Sequence, residues 1–204
     1  MTLEKQGLYL PEFEHDNCGA GFICSLKGRK SNDIIHKALE ILDKLEHRGA
    51  VSSDGKTGDG AGILIDIPHD FFTEVCKFNL PEAGEYAVSN VFLPQRENQL
   101  EENIKNQGLQ LLGWRNAAVN RSVPGRIAAE TEPFVKQVFV GKGEALDDFQ
   151  FNLKLFIARK TTEHAIIKSK LSQSKFFYLP SLSTKNIIFK GLLVPHDISR
   201  YNED

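Results

Sequence analysis

Apolar residues recur along this chain in two rhythms, and the rhythm changes from segment to segment. Over Gly19–Leu26 they alternate, with Phe22, Cys24 and Leu26 on one face and Ile23 and Ser25 on the other. That predicts a first strand, small at its start. A turn at Lys27–Lys30 follows, and Ser31 or Asn32 can cap a helix beginning near Asp33. Ile35, Ala38, Leu39, Leu42 and Leu45 then fall on one helical stripe. His47 and Arg48 occupy the last turn, where cations suit the helix dipole, and Gly49 is a natural stop. Val51–Gly62 reads as a glycine-rich loop, Ile63–Ile67 as a short strand ended by Pro68, and Asp70–Lys77 as a brief helix.

A second unit repeats the scheme. Tyr86–Leu93 predicts a strand and Gln95–Gln107 an amphipathic helix through Leu100 and Ile104, ended by Gly108. Leu109–Val119 and Phe134–Val140 are strand candidates, the second with a mixed alternation that leaves its inward face open. Leu153–Arg159 predicts a further strand and Thr161–Leu171 a helix. Phe176–Leu182 and Asn186–Leu193 read as two strands joined by the polar turn Ser183–Lys185. Strands and helices mix without the strict alternation of a doubly wound sheet, so the fold class expected is α+β, built in layers. The chain stops at SRYNED, directly after an apolar strand. A domain truncated at its C-terminal end is the expectation.

Composition narrows the function classes. A net charge of −2 with scattered lysines and arginines argues against a nucleic-acid or membrane surface. No apolar run reaches the roughly 18–20 residues of a membrane helix. Residues 1–17 lack both the basic start and the apolar middle of a secretory signal. Cys18, Cys24 and Cys76 make no even framework and no pair with close metal-ligand spacing, so a reducing, cytoplasmic compartment is expected, with no metal site.

Cys18 stands where the polar leader meets the small-residue segment. If the bond between Asn17 and Cys18 is cut, the thiol shares a residue with a free α-amine. Reference pKa values near 8 for the amine and about 8.5 for the thiol let the amine accept the thiol's proton near neutrality. Gly19 and Gly21 leave backbone room for a substrate. A lone cysteine near a strand start is more often a small buried hydrophobe, and Cys24 beside Phe22 and Cys76 beside Phe78 suit that role. The glycines at 58, 60 and 62 suggest a phosphate cradle, but their order is helix, loop, strand, the reverse of a nucleotide-binding turn. Close packing of backbone is the better account.

Three runs occur in order: DNCGAGFI at Asp16–Ile23, EHRGA at Glu46–Ala50 and TGDGAGIL at Thr57–Leu64. Together they resemble the opening of glutamate synthase large chains, which begin with a class II glutamine amidotransferase domain of the N-terminal-nucleophile type. GW at Gly113–Trp114, EPFVKQVFV at Glu132–Val140, TTEHAI at Thr161–Ile166 and IIFKGLL at Ile187–Leu193 extend the likeness over nearly the whole chain. The resemblance implies an α/β/β/α layered fold, present here in part. It makes residues 1–17 a propeptide removed on maturation, and 18–204 the N-terminal portion of the amidotransferase domain. Cys18 matches the nucleophile that converts glutamine to glutamate and ammonia. Gly19 and Arg48 match positions that order the site, and Gly58, Asp59 and Gly60 border its pocket. From spacing alone, Arg48 is equally a helix C-terminal cation touching only carbonyls.

The family's oxyanion donor is an Asn-Gly pair, and this chain contains no such dipeptide. Its substrate-clamping arginine and aspartate follow the IIFKGLL segment. The isolated chain is therefore expected to show little glutaminase activity and to associate through exposed edges. No cofactor is expected in this segment. FMN and an iron–sulfur cluster are implied for the whole enzyme, together with the remainder of the chain and a ferredoxin or nicotinamide reductant as partners. Two other readings stand beside this one: a silent structural remnant of the domain, and an amidotransferase feeding ammonia to another acceptor. The EHRGA and TGDGAGIL runs favour glutamate synthase over the second.

Overall fold

The computed structural model describes residues 18–93, 97–143, 146–170 and 174–203. Helix α1 spans Asn32–Lys44 and passes into a 3-10 turn at Glu46–Arg48. Strand β1 (Thr57–Asp66), α2 (His69–Val75), β2 (Tyr86–Leu93), α3 (Glu97–Asn106) and β3 (Gln110–Asn116) follow. Then come α4 (Arg126–Ala129), β4 (Phe134–Gly141), α5 (Asp148–Lys168), β5 (Asn186–Leu193) and α6 (Ile198–Tyr201), the last preceded by a 3-10 turn at Pro195–Asp197.

Two antiparallel sheets result: β1 with β5, and β2–β4–β3 with β4 in the middle. Because side chains alternate across a sheet, the three-stranded sheet serves two cores. Ala87, Val91, Val138 and Val140 face α3 and α5, meeting Leu100, Ile104, Phe151 and Leu155. Tyr86, Val88 and Phe139 face the other way, onto Ile63 and Ile65 of β1, Ile187 and Phe189 of β5 and Phe72 of α2. Register supports this division, since Ala87 pairs with Val140 and Val88 with Phe139. Asn90 reaches across the sandwich, its Nδ2 donating to the Ile188 carbonyl at 2.8 Å. On the far side of β1–β5, Leu39 and Leu42 of α1 pack with Leu193, Ile198 and Tyr201. The layers therefore run helices, sheet, sheet, helix, the order expected. The inward face of 134–140 was ambiguous for a physical reason: a central strand between two cores is buried on both sides.

Four segments depart from the sequence-based expectation. Residues 18–25 form no regular element and join no sheet among the described residues, and Phe22 and Leu26 lie 89% and 99% exposed. The alternation is present, but among the described residues nothing covers the face that carries Phe22 and Leu26. The glycine run is half strand, since β1 already begins at Thr57. A Cβ on Gly58 would collide with the Leu193 carbonyl of β5 and come within 2.7 Å of the Val194 nitrogen. Gly60, at φ +133°, occupies the register shift between Thr57 and Ala61. Glycine is what lets β5 lie this close, so backbone packing is indeed its account.

Leu153–Arg159 is helix, the middle of the 21-residue α5. A capping box starts it: Gln150 N donates to Asp147 Oδ1 at 2.7 Å while Asp147 N donates to Gln150 Oε1 at 3.3 Å. Phe151, Leu155, Ala158, Thr162 and Ile166 then bury one helical face. Finally, 176–182 makes no continuous strand. Tyr178 and Ser183 each bridge to β2, at Phe92 and Val88, and Pro180 between them has no N–H to extend the ladder.

Candidate active site

Cys18 is an exposed free thiol, as is Cys24, whereas Cys76 is half-buried. The backbone behind Cys18 lies along α1. A Cβ on Gly21 would strike Ile41, and one on Gly19 would sit 3.2 Å from the Leu45 Cβ and 3.3 Å from the Arg48 Cβ. The glycines of the first run thus press directly on the helix and turn that carry the second. Arg48 is placed by that turn: its N–H donates to the Leu45 carbonyl at 2.8 Å, and Gly49 N follows onto Glu46 O at 3.0 Å.

The third run closes on the second. Asp59 N donates to the Ala50 carbonyl at 3.0 Å, and a Cβ on Gly49 would stand 3.1 Å from Asp59 Oδ1. Gly19, Arg48–Gly49 and Asp59 therefore form one continuous line of contact. Of the residues singled out from sequence, Cys18, Gly19, Arg48, Asp59 and the adjoining Gly58 and Gly60 come to one region. Apart from Gly58, which is buried under β5, these residues are open to solvent. A cavity of about 350 Å³ elsewhere, lined by Lys30, Asp66, His69, Tyr86 and Lys185, includes none of them.

Two supports were not visible from sequence motifs. Asp54 accepts from Lys56 N (3.1 Å), Thr57 N (2.8 Å), Thr57 Oγ1 (2.7 Å) and Ile127 N (3.0 Å). Thr57 Oγ1 in turn accepts from Ala128 N at 3.1 Å. The start of β1 is thereby tied to α4. The second support is His196, whose Nδ1 stands 3.5 Å from Glu46 Oε1 and whose Nε2 stands 3.7 Å from Asp197 Oδ1. It links the Arg48 turn to the segment after β5. Asp–Gly at a turn hints at Asp54's role; nothing local hints at His196.

The Ile127 N–H, then the Thr57 hydroxyl and N–H, hold the Asp54 carboxyl well below its ordinary value of 3.8. A depressed carboxyl contributes stability that is present above the unfolded-state value and declines as pH falls below it. Asp54→Asn is expected to lower stability at neutral pH and to flatten its decline below about pH 4. Urea midpoints measured from pH 2 to 7 check this, and parallel curves for both proteins would refute it.

The family model for class-II glutamine amidotransferases matches residues 18–204. The chain is 42% identical over 208 residues to a Bacillus subtilis "Glutamate synthase [NADPH] large chain", covering 98% of this chain and 13% of that protein. It is 37% identical to the Azospirillum brasilense protein of the same name, over 100% of this chain and 14% of the relative. A rice "Ferredoxin-dependent glutamate synthase, chloroplastic" is 38% identical over 88% of this chain and 12% of its own length. The chain thus spans about an eighth of the length of these curated relatives. The match opens at the exposed cysteine that precedes the glycine packed on Arg48's turn, and it continues through every strand of both sheets: the chain belongs to the class-II glutamine amidotransferases.

Proposed function

We propose that this chain supplies the nucleophile-bearing part of the glutaminase half of a glutamate synthase. The observation that carries the reading is the contact line from Gly19 through Arg48–Gly49 to Asp59, which joins the three runs and begins at the residue after the exposed Cys18. A family match beginning at residue 18 supports removal of residues 1–17, a segment outside the described residues.

Once Cys18 is N-terminal, its α-amine accepts the thiol proton. The thiolate then attacks the side-chain carbonyl carbon of glutamine. The tetrahedral intermediate collapses, the C–N bond breaks, and the amine's proton leaves with ammonia. Water attacks the thioester carbon, releases glutamate and returns the thiol. Arg48 orders the segment and Gly19 lets it lie flat on α1, while Gly58, Asp59 and Gly60 border the substrate. The exposure of Phe22 and Leu26 and the openness around Cys18 support little turnover by these residues alone.

In the whole enzyme the ammonia would convert 2-oxoglutarate to glutamate with reducing equivalents from a flavin and an iron–sulfur cluster. Among the described residues no group of three or more His, Cys, Asp or Glu converges to hold a metal. The described residues do not fit a cluster, and no step proposed above draws on one. No described helix is long and apolar enough to cross a membrane.

Intact mass, N-terminal sequencing and labelling with a glutamine-analogue electrophile test the reading. The expected result is a chain starting at Cys18 and modified there alone. A chain still starting at Met1 and inert to the label would make this polypeptide an unprocessed precursor or a silent remnant.

A further inference from the structure

Away from Cys18, the cavity of about 350 Å³ gathers polar groups from four separated places: the chain before α1, the β1–α2 junction, the turn into β2 and the turn ahead of β5. Its backbone frame is tied together by hydrogen bonds. Ile67 N donates to the Lys185 carbonyl at 3.0 Å, which joins the end of β1 to the β5 turn. Within that turn Lys185 N and Asn186 N donate to Ser183 Oγ at 3.1 and 3.3 Å. The turn into β2 is closed by Glu85 N on Glu82 O at 3.0 Å, with Gly84 at φ +93°.

The side chains on this frame are mostly donors. Lys30 Nζ donates to the Ile67 carbonyl at 3.3 Å, which brings an ammonium to the cavity wall with two further N–H groups to place. Lys185 and the Thr184 hydroxyl line the opposite segment. Among the described residues neither ammonium has a carboxylate within ion-pair distance. The Lys185 charge reaches Asp148, but Lys142 already holds that carboxylate at 2.8 Å. His69 Nδ1 lies 3.2 Å from the hydroxyl of the fully buried Tyr86. Burial, then the nearby Cys76, pushes the Tyr86 phenol up to about 12, so it keeps its proton. A buried hydroxyl has to spend that proton on an acceptor, and His69 Nδ1 is the one at hand. The neutral ring then carries its own proton on Nε2, as a donor.

We propose that this cavity binds a small oxyanion, a carboxylate or phosphate group, between the Lys30 and Lys185 ammonium groups, with Thr184 and His69 as further donors. Asp66 sets the limit on its charge. It also lines the cavity, so two ammonium groups and one carboxylate leave a single net positive charge. That favours a small anion and disfavours a densely charged one such as a triphosphate. Glu82 and Glu85 flank the turn into β2 without lining the cavity, and Glu85 stands 3.6 Å from Lys142. The volume is at the small end for ligand sites. None of these residues belongs to the Cys18 region, and the inference is independent of the chemistry there.

The 204-residue chain is titrated with inorganic phosphate and, separately, with succinate at constant ionic strength, followed by amide ¹H–¹⁵N spectra. Saturable shifts are expected at Lys30, Gly84, Thr184 and Lys185, with Kd of roughly 1–10 mM. Lys30→Gln and Lys185→Gln should each weaken binding about threefold or more. Asp66→Asn should tighten it about twofold, with circular dichroism unchanged in all three. These opposite signs separate a site from a general response to salt. Tighter binding of phosphate would identify a phosphoryl ligand and tighter binding of succinate a carboxylate; either supports the site. No saturation by about 50 mM of either anion would overturn the proposal. So would shifts centred on Arg48 instead, or binding indifferent to both lysine substitutions.

Discussion

Cys18→Ser, in a polypeptide of the length of its relatives, is expected to lower glutamine-dependent turnover by a factor of at least about 10³. The reason lies in matched acidities. An α-amine near pKa 8 can take a proton from a thiol near 8.5, but a serine hydroxyl is a far weaker acid, so the same amine produces almost no alkoxide. Packing does not confound the result, because Cys18 is exposed and the contacts of its segment are made by Gly19 and Gly21. The fold should therefore survive unchanged by circular dichroism. Supplying ammonia directly bypasses the glutaminase step, so ammonia-dependent synthesis should persist in the variant. Loss of both activities would point to misassembly. Retention of glutamine-dependent turnover would remove Cys18 from the mechanism and leave the exposed Cys24 as the thiol to examine.

How far this site was legible depends on how local its determinants are. The α1 stripe through Leu39 and Leu42, its ending before Gly49, and strands 86–93 and 186–193 could all be read because each has a clear apolar pattern or a clear boundary residue. Cys18 and Arg48 could be named from their runs, although the contact that joins them, Gly19 on Arg48, is a fact of packing. Helix α5 was misread over Leu153–Arg159 because its outward Leu153, Phe156 and Ile157 cancel the period set by its buried residues. A two-faced helix has no single stripe to find. The Glu46–His196 link left no local trace at all, since it joins segments far apart in the chain. Motifs report local chemistry; which distant side chain supports them is settled by the tertiary fold.

Phe139→Ala is expected to cost about 3–5 kcal/mol of stability, the range for deleting a buried aromatic side chain. Phe139 is fully buried on the sandwich side of the central strand β4. Its ring meets Phe72 of α2 edge-on at 5.1 Å, Phe78 at 5.3 Å and Tyr86 of β2 at 6.1 Å. Whether the cost falls high or low depends on how far these neighbours can close the gap. Two of them are held. Phe78 lies so near β3 that a Cβ on Gly113 would stand 2.5 Å from its Cδ1, which leaves it little freedom to shift. Tyr86 is anchored in β2 and its hydroxyl contacts His69 Nδ1 at 3.2 Å. The cavity should remain largely open, which favours the upper part of the range. Against a total stability of about 5–15 kcal/mol for a domain, a loss of that size would leave little margin. Phe139→Leu keeps most of the volume and should cost about half as much or less. Urea unfolding with an unchanged slope and a lower midpoint would establish a stability loss of this kind. A loss below about 1 kcal/mol would mean that this interface yields easily. The two sheets would then owe their face-to-face packing to something other than the ring at its centre.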